Sequence, residues 1–324
     1  MNTTTVPAPP NQRPVAQPAR SLAPPRRATG FRGWTARHPL TAFLVLAFAG
    51  AYPMMSLPIL ASHGLIPGGA VMDRLPIAPD ELAGLLLTLA GLLPATLYVT
   101  WAADGRDGLR RLGSRMLRWR VGAGWWLLLL TGLPVLTIGI SLLLGDSLNT
   151  MDPVRLVTTQ LGLLAANFIM VNIWEEAAWA GFLQTRLERR HTLFAAALIT
   201  AVPFGFIHWP LAFFGDVTAA SAAVGLVFYL ILGVIFRPML GVFLRGTRDS
   251  VLFVALLHSI FNRTNNDNGI AAGVLQGDAH TLAMPIAIIV LTTVTAIVIR
   301  RRLTRAYRAT LDDTPSDDNR DRRQ

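Results

Sequence analysis

The chain has 324 residues, of which 52% are hydrophobic and only 15% are charged, with a formal net charge of +10 and a mean hydropathy of +0.45. Soluble globular domains carry about 25% charged residues, so this balance indicates a membrane protein. The chain has no cysteine, which excludes a disulfide framework, a thiolate zinc site and a catalytic thiol.

Both ends of the chain are polar. Residues 1–30 are rich in Pro, Ala and Arg and have no hydrophobic period, and residues 309–324 form a charged segment. Such compositions predict disordered tails. Residues 31–308, between the tails, are predicted to form a single transmembrane domain.

Eight apolar runs in this domain are long enough, or nearly so, to cross about 30 Å of hydrocarbon. They lie near 39–61, 81–103, 123–145, 155–183, 194–214, 218–236, 249–264 and 281–299. The first is too long for the core of a signal peptide and is interpreted as a retained span. The predicted fold class is therefore all-α, a polytopic membrane helical bundle of about eight transmembrane helices.

The arginines orient this layout. Nearly all of them fall in the segments that alternate spans leave on one side of the membrane, and the exceptions are Arg74, Arg155 and Arg263. Basic residues concentrate in cytoplasmic loops, so both termini are predicted to be cytoplasmic. The positive charge then faces anionic lipid, and no nucleic-acid partner is expected.

Few ionisable side chains lie well inside the runs, where they are costly and by default functional. Glu175 and Glu176 lie on the fourth run, His208 on the fifth and His258 on the seventh. Counting residues from the cytoplasmic ends, at about 1.5 Å per residue, places Glu175, His208 and His258 at one depth. Asn262 follows His258 by one helical turn.

Buried His and Asn side chains also hold helices together by hydrogen bonds, and that interpretation suits either histidine alone. The whole set at one depth favours a site. Burial disfavours the charged form of a carboxylate, which makes Glu175 a better general base for water. His208 is then expected to orient the water or protonate the leaving amine, and His258 and Asn262 to donate hydrogen bonds to the oxyanion.

A second chemistry uses the same atoms. Two imidazoles and one carboxylate match a catalytic zinc site with an open fourth position, and its ligands would be Glu175, His208 and His258. The sequence alone does not separate a water held by zinc from a water held by side chains. We expect no cofactor and no metal, with zinc as the alternative.

Three segments resemble the motifs EExxxR, FxxxH and HxxxN of the CAAX protease and bacteriocin-processing (CPBP, or Abi) family. They are EEAAWAGF from Glu175, FGFIH from Phe204 and HSIFN from His258. The resemblance covers about 150–300. It implies an intramembrane endopeptidase of the bacterial cell membrane that works by a glutamate-dependent, metal-independent mechanism, with Glu175, His208, His258 and Asn262 as its catalytic residues.

The resemblance also implies a substrate class. Eukaryotic members of the family remove the last three residues of prenylated CaaX proteins, and bacterial members are linked to bacteriocin maturation or self-immunity. The expected partners are thus a peptide or protein substrate, prenylated or bacteriocin-like, and the lipid bilayer. Glu176, Trp179 and Phe204 are expected to support the site.

One position departs from the motif, because Ala180 stands where the motif has arginine. Glu176 then lacks a counter-ion on its own helix, so either it is protonated or another helix supplies a cation. Arg186 lies too far along the helix, and Arg263 is the candidate from another helix. Two other functions stay open: a non-catalytic immunity or adaptor protein of the same fold, and a proton-coupled transporter, which the lack of an evident inverted repeat disfavours.

Overall fold

The computed structural model describes residues 29–75 and 77–312. Nearly all of the predicted tail 1–30, and residues 313–324 of the second predicted tail, lie outside these residues. The last helix continues to Asp312, four residues beyond the boundary that we predicted at 308.

The described residues form a helical bundle with one minimal strand pair. The helices are α1 (Gly30–Arg37), α2 (Pro39–Ser62), α3 (Gly69–Met72), α4 (Pro79–Met116), α5 (Ala123–Leu143), α6 (Pro153–Leu187), α7 (Leu193–His208), α8 (Ala219–Gly246), α9 (Val251–Asn265), α10 (Ile270–Val274) and α11 (His280–Asp312). A 3₁₀ segment, Trp209–Phe214, continues α7. Strands β1 (Ser147–Leu148) and β2 (Leu275–Gln276) pair in antiparallel register.

This architecture confirms the predicted all-α polytopic bundle. Within the described ranges, 7 helices are long and apolar enough to cross a membrane: α2, α4, α5, α6, α7 with its 3₁₀ segment, α8 and α11. The seventh predicted span corresponds to α9, which has 15 residues and would reach only about 22 Å. The count of eight spans is thus not reached by length, and the orientation of the termini stays a prediction.

The outer surface of the bundle is apolar. Large side chains such as Leu143 and Val224 are 88% and 70% exposed, although they belong to helices of high hydropathy. Such a surface is unfavourable in water and favourable against hydrocarbon, where helices satisfy their own backbone groups. The protein is therefore a multi-pass integral membrane protein.

Small residues let neighbouring helices approach closely, as is typical of membrane bundles. A Cβ added at Gly91 of α4 would lie 2.6 Å from the Cβ of Ala51 in α2. A Cβ at Gly233 of α8 would lie 2.8 Å from the carbonyl oxygen of Ala201 in α7. These contacts fix the α2–α4 and α7–α8 pairs, and α7 and α8 both contribute to the polar centre described below.

A constrained loop sets the start of α9. Arg248 and Asp249 have positive φ angles of 56° and 63°, which non-glycine residues seldom adopt. Arg115 of α4 donates from Nε to the carbonyl oxygen of Asp249 at 3.1 Å, and Ser250 caps α9 by accepting from the Phe253 amide at 3.1 Å. The loop thereby holds the helix that carries His258 and Asn262.

One predicted boundary is wrong. The sixth run was predicted to end at 236, with Arg237 in a cytoplasmic segment, but α8 continues to Gly246 and Arg237 is fully buried within it. Arg237 therefore does not belong among the arginines that support the cytoplasmic assignment. The charge stays in the interior because a carboxylate meets it there.

Candidate active site

Helix α6 presents the two glutamates from a stretch of irregular helix. π-Helical turns at Phe168–Asn172 and Ala177–Gln184 flank the short α-helical segment Ile173–Glu176. Each wide turn inserts a residue into the helix and changes which side chains share a face. Such turns are frequent at functional sites. Glu175 is 3% exposed and Glu176 is fully buried.

Glu175 faces a histidine of α7. Its Oε1 lies 3.3 Å from Nε2 of His208, whose Nδ1 lies 2.7 Å from the carbonyl oxygen of Phe204. A carbonyl oxygen only accepts hydrogen bonds, so Nδ1 of His208 carries a hydrogen and donates it. In the neutral ring, Nε2 then presents its lone pair toward the Glu175 carboxylate, and these two basic atoms can share a proton.

The second histidine lies between the two glutamates. Nδ1 of His258 in α9 is 2.9 Å from Oε1 of Glu176 and 4.0 Å from Oε2 of Glu175. The shorter contact is a hydrogen bond, in which Nδ1 donates when Glu176 is ionised. Through Nε2, His258 can then act as a donor only when the ring carries two protons.

The counter-ion of Glu176 comes from α8. Nη1 of Arg237 lies 2.8 Å from Oε1 and 3.0 Å from Oε2 of Glu176, and both side chains are 0% exposed. Nη2 of Arg237 also donates to Oε1 of Gln184 at 3.3 Å. Because a buried charge is strongly destabilising without a partner, this pair explains how α6 tolerates a second glutamate.

Asparagines join α6 to α9 on the other side of Glu175. Nδ2 of Asn172 donates to Oε2 of Glu175 at 3.4 Å. Oδ1 of Asn172 accepts a hydrogen bond from the Ser259 hydroxyl at 2.9 Å and another from Nδ2 of Asn262 at 3.4 Å. Nδ2 of Asn262 also donates to Oδ1 of Asn167 at 3.2 Å, so Asn262 reaches Glu175 through Asn172.

Aromatic side chains enclose this polar centre. Trp179 is fully buried and packs edge-on against Phe204, with ring centroids 5.8 Å apart. The Phe204 ring lies 4.4 Å from the His208 ring and 6.4 Å from the His258 ring. The rings lower the local dielectric, which strengthens the charge interactions beside them.

The zinc alternative would use the side chains of Glu175, His208 and His258. Among residues 29–75 and 77–312, no group of three or more His, Asp or Glu side chains is arranged to hold a metal ion. The nitrogen of His258 that is nearest to Glu175 is Nδ1, and that atom is already hydrogen-bonded to Glu176. The zinc alternative, with Glu175, His208 and His258 as ligands, stays a prediction, as does the expectation of no metal.

The structure brings the predicted site residues together. Glu175, His208 and His258 converge as the count of residues predicted, and Glu176, Trp179 and Phe204 border them. Asn262 contacts Asn172 rather than Glu175. The catalytic roles of these residues stay predictions.

The predicted partner of Glu176 is wrong. Arg263 is buried elsewhere, where its Nε donates to Oε1 of Gln160 at 3.0 Å and its Nη2 donates to Asn268. Arg186 pairs with Asp104. It does not reach Glu176, in agreement with the expectation that it lies too far along α6. The alternative that another helix supplies the cation is correct, and the residue is Arg237 of α8.

Sequence reasoning missed Arg237, Gln184 and the connecting role of Asn172. Asn172 lies three residues before Glu175 and bonds to it, and it also contacts Ser259 and Asn262 of α9. A signal for Arg237 was present, because the apolar residues continue beyond it to Phe243 and Leu244. An arginine inside so long an apolar run is a candidate for an intramembrane ion pair.

The fold and the site define the class: a polytopic helical membrane protein with a buried centre of two carboxylates, two imidazoles and one guanidinium. Residues 157–264 match the family model described as Type II CAAX prenyl endopeptidase Rce1-like. The match lies within the predicted region 150–300, includes all three motifs and confirms the resemblance to the CPBP family. No curated protein matches the chain.

Proposed function

We propose that the protein is an intramembrane endopeptidase that hydrolyses a peptide bond near the C-terminus of a prenylated, CaaX-type peptide. The observation that carries this proposal is the pairing of Glu175 with His208. Oε1 of Glu175 is buried and accepts no hydrogen bond from the described residues, although Nε2 of His208 lies 3.3 Å away. A carboxylate oxygen left without a donor beside a basic nitrogen is suited to accept a proton from water.

The reaction uses Glu175 as the general base. Glu175 removes a proton from water while the water oxygen forms a bond to the carbonyl carbon of the scissile peptide, and the carbonyl electrons move onto oxygen. When the tetrahedral intermediate collapses, the C–N bond breaks and the amine leaves with the proton that Glu175 received. His208 orients the water or passes the proton, because its Nδ1–H bond to Phe204 leaves Nε2 facing Glu175.

The oxyanion of the intermediate requires a hydrogen-bond donor. His258 can supply it from Nε2 in its doubly protonated form, in which Nδ1 remains bonded to Glu176. Asn262 has two amide hydrogens, and both face asparagine oxygens in this conformation. Asn262 therefore donates to the oxyanion only after exchanging one of these bonds, and otherwise positions Asn172 against Glu175.

The mechanism that we propose does not require a metal. Asn172 holds Glu175 through Oε2, and Oε1, which has no donor among the described residues, is the oxygen that takes the proton from water. The family match adds the substrate class, because its description names a CAAX prenyl endopeptidase. The lipid bilayer would present the prenyl group to the apolar surface of the bundle.

The test is cleavage of a farnesylated, internally quenched peptide ending in a Cys-aliphatic-aliphatic-Met sequence by the purified full-length protein in proteoliposomes. We expect Glu175→Gln to lower kcat by at least about 100-fold, the usual contribution of a positioned general base. Glu81→Gln is the matched control, because Glu81 is an exposed glutamate at the start of α4. Wild-type cleavage by Glu175→Gln, or no cleavage by the wild type, would contradict the proposed function.

A further inference from the structure

A chain of polar side chains extends from the candidate active site to the end of α8. Glu176 binds both His258 and Arg237, and Arg237 also binds Gln184. Nε2 of Gln184 donates to Oε1 of Glu188 at 3.0 Å, and Glu188 lies 3.5 Å from Arg245. Arg237 is the only guanidinium among the described residues that contacts either glutamate of the site.

Arg237 lies outside the three motifs, on a helix that the motifs do not use. Its Nη1 lies 2.8 Å from Oε1 and 3.0 Å from Oε2 of Glu176, so one nitrogen holds both carboxylate oxygens. The second terminal nitrogen, Nη2, is held by Gln184, which keeps the guanidinium in place. Oε1 of Glu176 is the same atom that meets Nδ1 of His258 at 2.9 Å. Arg237 therefore determines where the acceptor for His258 lies.

Local packing leaves room for this arrangement. At position 241, one turn after Arg237 on α8, a Cβ would lie 2.5 Å from Nε2 of Gln184. Glycine at this position lets Gln184 reach Arg237.

Ala180, four residues after Glu176, is fully buried and presents only a methyl group. Helix α6 itself therefore offers Glu176 no cation at the position where the resembled motif has arginine.

We propose that Arg237 is a positioning residue of the active site, which replaces from α8 the counter-ion that α6 lacks and holds Glu176 against His258. This inference rests on the proposed function for its catalytic meaning. The pairing itself is independent of the reaction. Arg237 touches neither Glu175 nor His208 through a hydrogen bond among the described residues, so it acts through Glu176.

The principal variant is Arg237→Met, which removes the charge and keeps an unbranched side chain. We expect kcat/KM for the farnesylated peptide to fall by about 100-fold, as when an oriented electrostatic group is lost from an active site. The pH–activity profile should also change, because the loss of the guanidinium removes the charge that holds Glu176 against His258. Arg237→Lys, which keeps the charge, should restore part of the activity and most of the profile.

The matched control is Arg263→Met. Arg263 is also a buried arginine, at 3% exposure, and its bonds go to Gln160 and Asn268. The loss of a buried arginine as such should lower the stability of both variants. Only Arg237→Met should change the pH profile, and equal changes in the two variants would overturn the proposal.

A measurement that does not depend on activity separates this inference from the proposed function. ¹⁵N spectra of histidine-labelled full-length protein report the protonation of each imidazole, and His258→Gln assigns its signal among the 6 histidines. We expect Arg237→Met to change the His258 signal and Arg263→Met to leave it unchanged. An unchanged His258 signal in folded Arg237→Met overturns the inference, even if the wild type is an active protease. A changed signal in a protein that cleaves nothing supports the pairing and refutes the protease.

Arg237→Met must fold for these measurements, and Glu176→Gln/Arg237→Met covers the case in which it does not. If Arg237 acts through Glu176, the double variant should fold better than the single variant, because it buries no unpaired charge. A double variant as unstable as Arg237→Met overturns the proposal, since Arg237 would then act independently of Glu176. Arg237→Ala/Ala180→Arg adds a rescue test: activity above that of Arg237→Ala shows that the cation matters more than the helix it comes from.

Discussion

The buried pair between Arg237 and Glu176 gives the sharpest prediction about stability. Both side chains are 0% exposed and the shorter N–O distance is 2.8 Å. Arg237→Met leaves the Glu176 carboxylate buried without its cation, and breaking a buried pair from one side costs about 3–5 kcal/mol. Removing both charges avoids most of this cost.

The size of the coupling follows from the same geometry. In a double-mutant cycle of Arg237→Met and Glu176→Gln, we expect a coupling free energy of about 2–3 kcal/mol, at the upper end for residues in contact. The comparison pair is Arg110 and Asp107, which lie 3.1 Å apart but are 78% and 74% exposed. Exposed pairs contribute little, so Asp107→Asn should leave the stability unchanged.

The assay is equilibrium unfolding by SDS in mixed detergent micelles, followed by far-ultraviolet circular dichroism. We expect a large coupling free energy for the buried pair and none for the exposed pair. Equal couplings for the two pairs would refute this expectation, because burial would then have no effect on the value of the interaction. Arg237→Met with wild-type stability would refute it as well.

The remaining predictions concern packing, the asparagine contacts and metal dependence. Gly91→Ala should destabilise the protein by about 1–3 kcal/mol, because the new Cβ would lie 2.6 Å from Ala51. Gly84→Ala on the same helix should be neutral or stabilising in the same unfolding assay, since no atom lies within 4 Å of its Cβ and alanine favours the helix. Asn172→Leu should lower kcat more than it raises KM, because it removes the donor to Glu175 and the acceptor for α9; a purely KM effect would disagree with that role. Incubation with a zinc chelator should leave peptide cleavage unchanged, and loss of cleavage that added zinc restores would contradict the mechanism.

Much of the site could be predicted because burial in a membrane is costly for charge. Glu175 and His208 stand out in apolar runs, and the hairpin between α6 and α7 places them at one depth by counting. His258 and Asn262 stand out in the same way on α9. Periodicity and the rise of a helix suffice for these positions, since each depends on distance along one helix.

Other features could not be predicted from local pattern. The partner of Glu176 lies 61 residues away, on α8, and the choice between Arg237 and Arg263 depends on how each helix is rotated. The π-helical turns of α6 alter that rotation, and an ideal period of 3.6 residues does not anticipate them. The contact of Asn172 with Ser259 depends on the packing of α6 against α9 for the same reason.

The sequence by itself determined that this is an all-α membrane protein, and it determined which few polar side chains lie inside the apolar runs. Hydrocarbon excludes charge and water, so membrane spans must be long and apolar. Both properties can be recognised in the sequence, and so can the few polar residues within the spans. Only the tertiary structure decided which of these side chains touch: His258 with Glu176, Asn262 with Asn172, and Arg237 with Glu176. Contacts between helices depend on rotation, crossing and the small residues that allow close approach, and these are properties of the packed bundle rather than of any one segment.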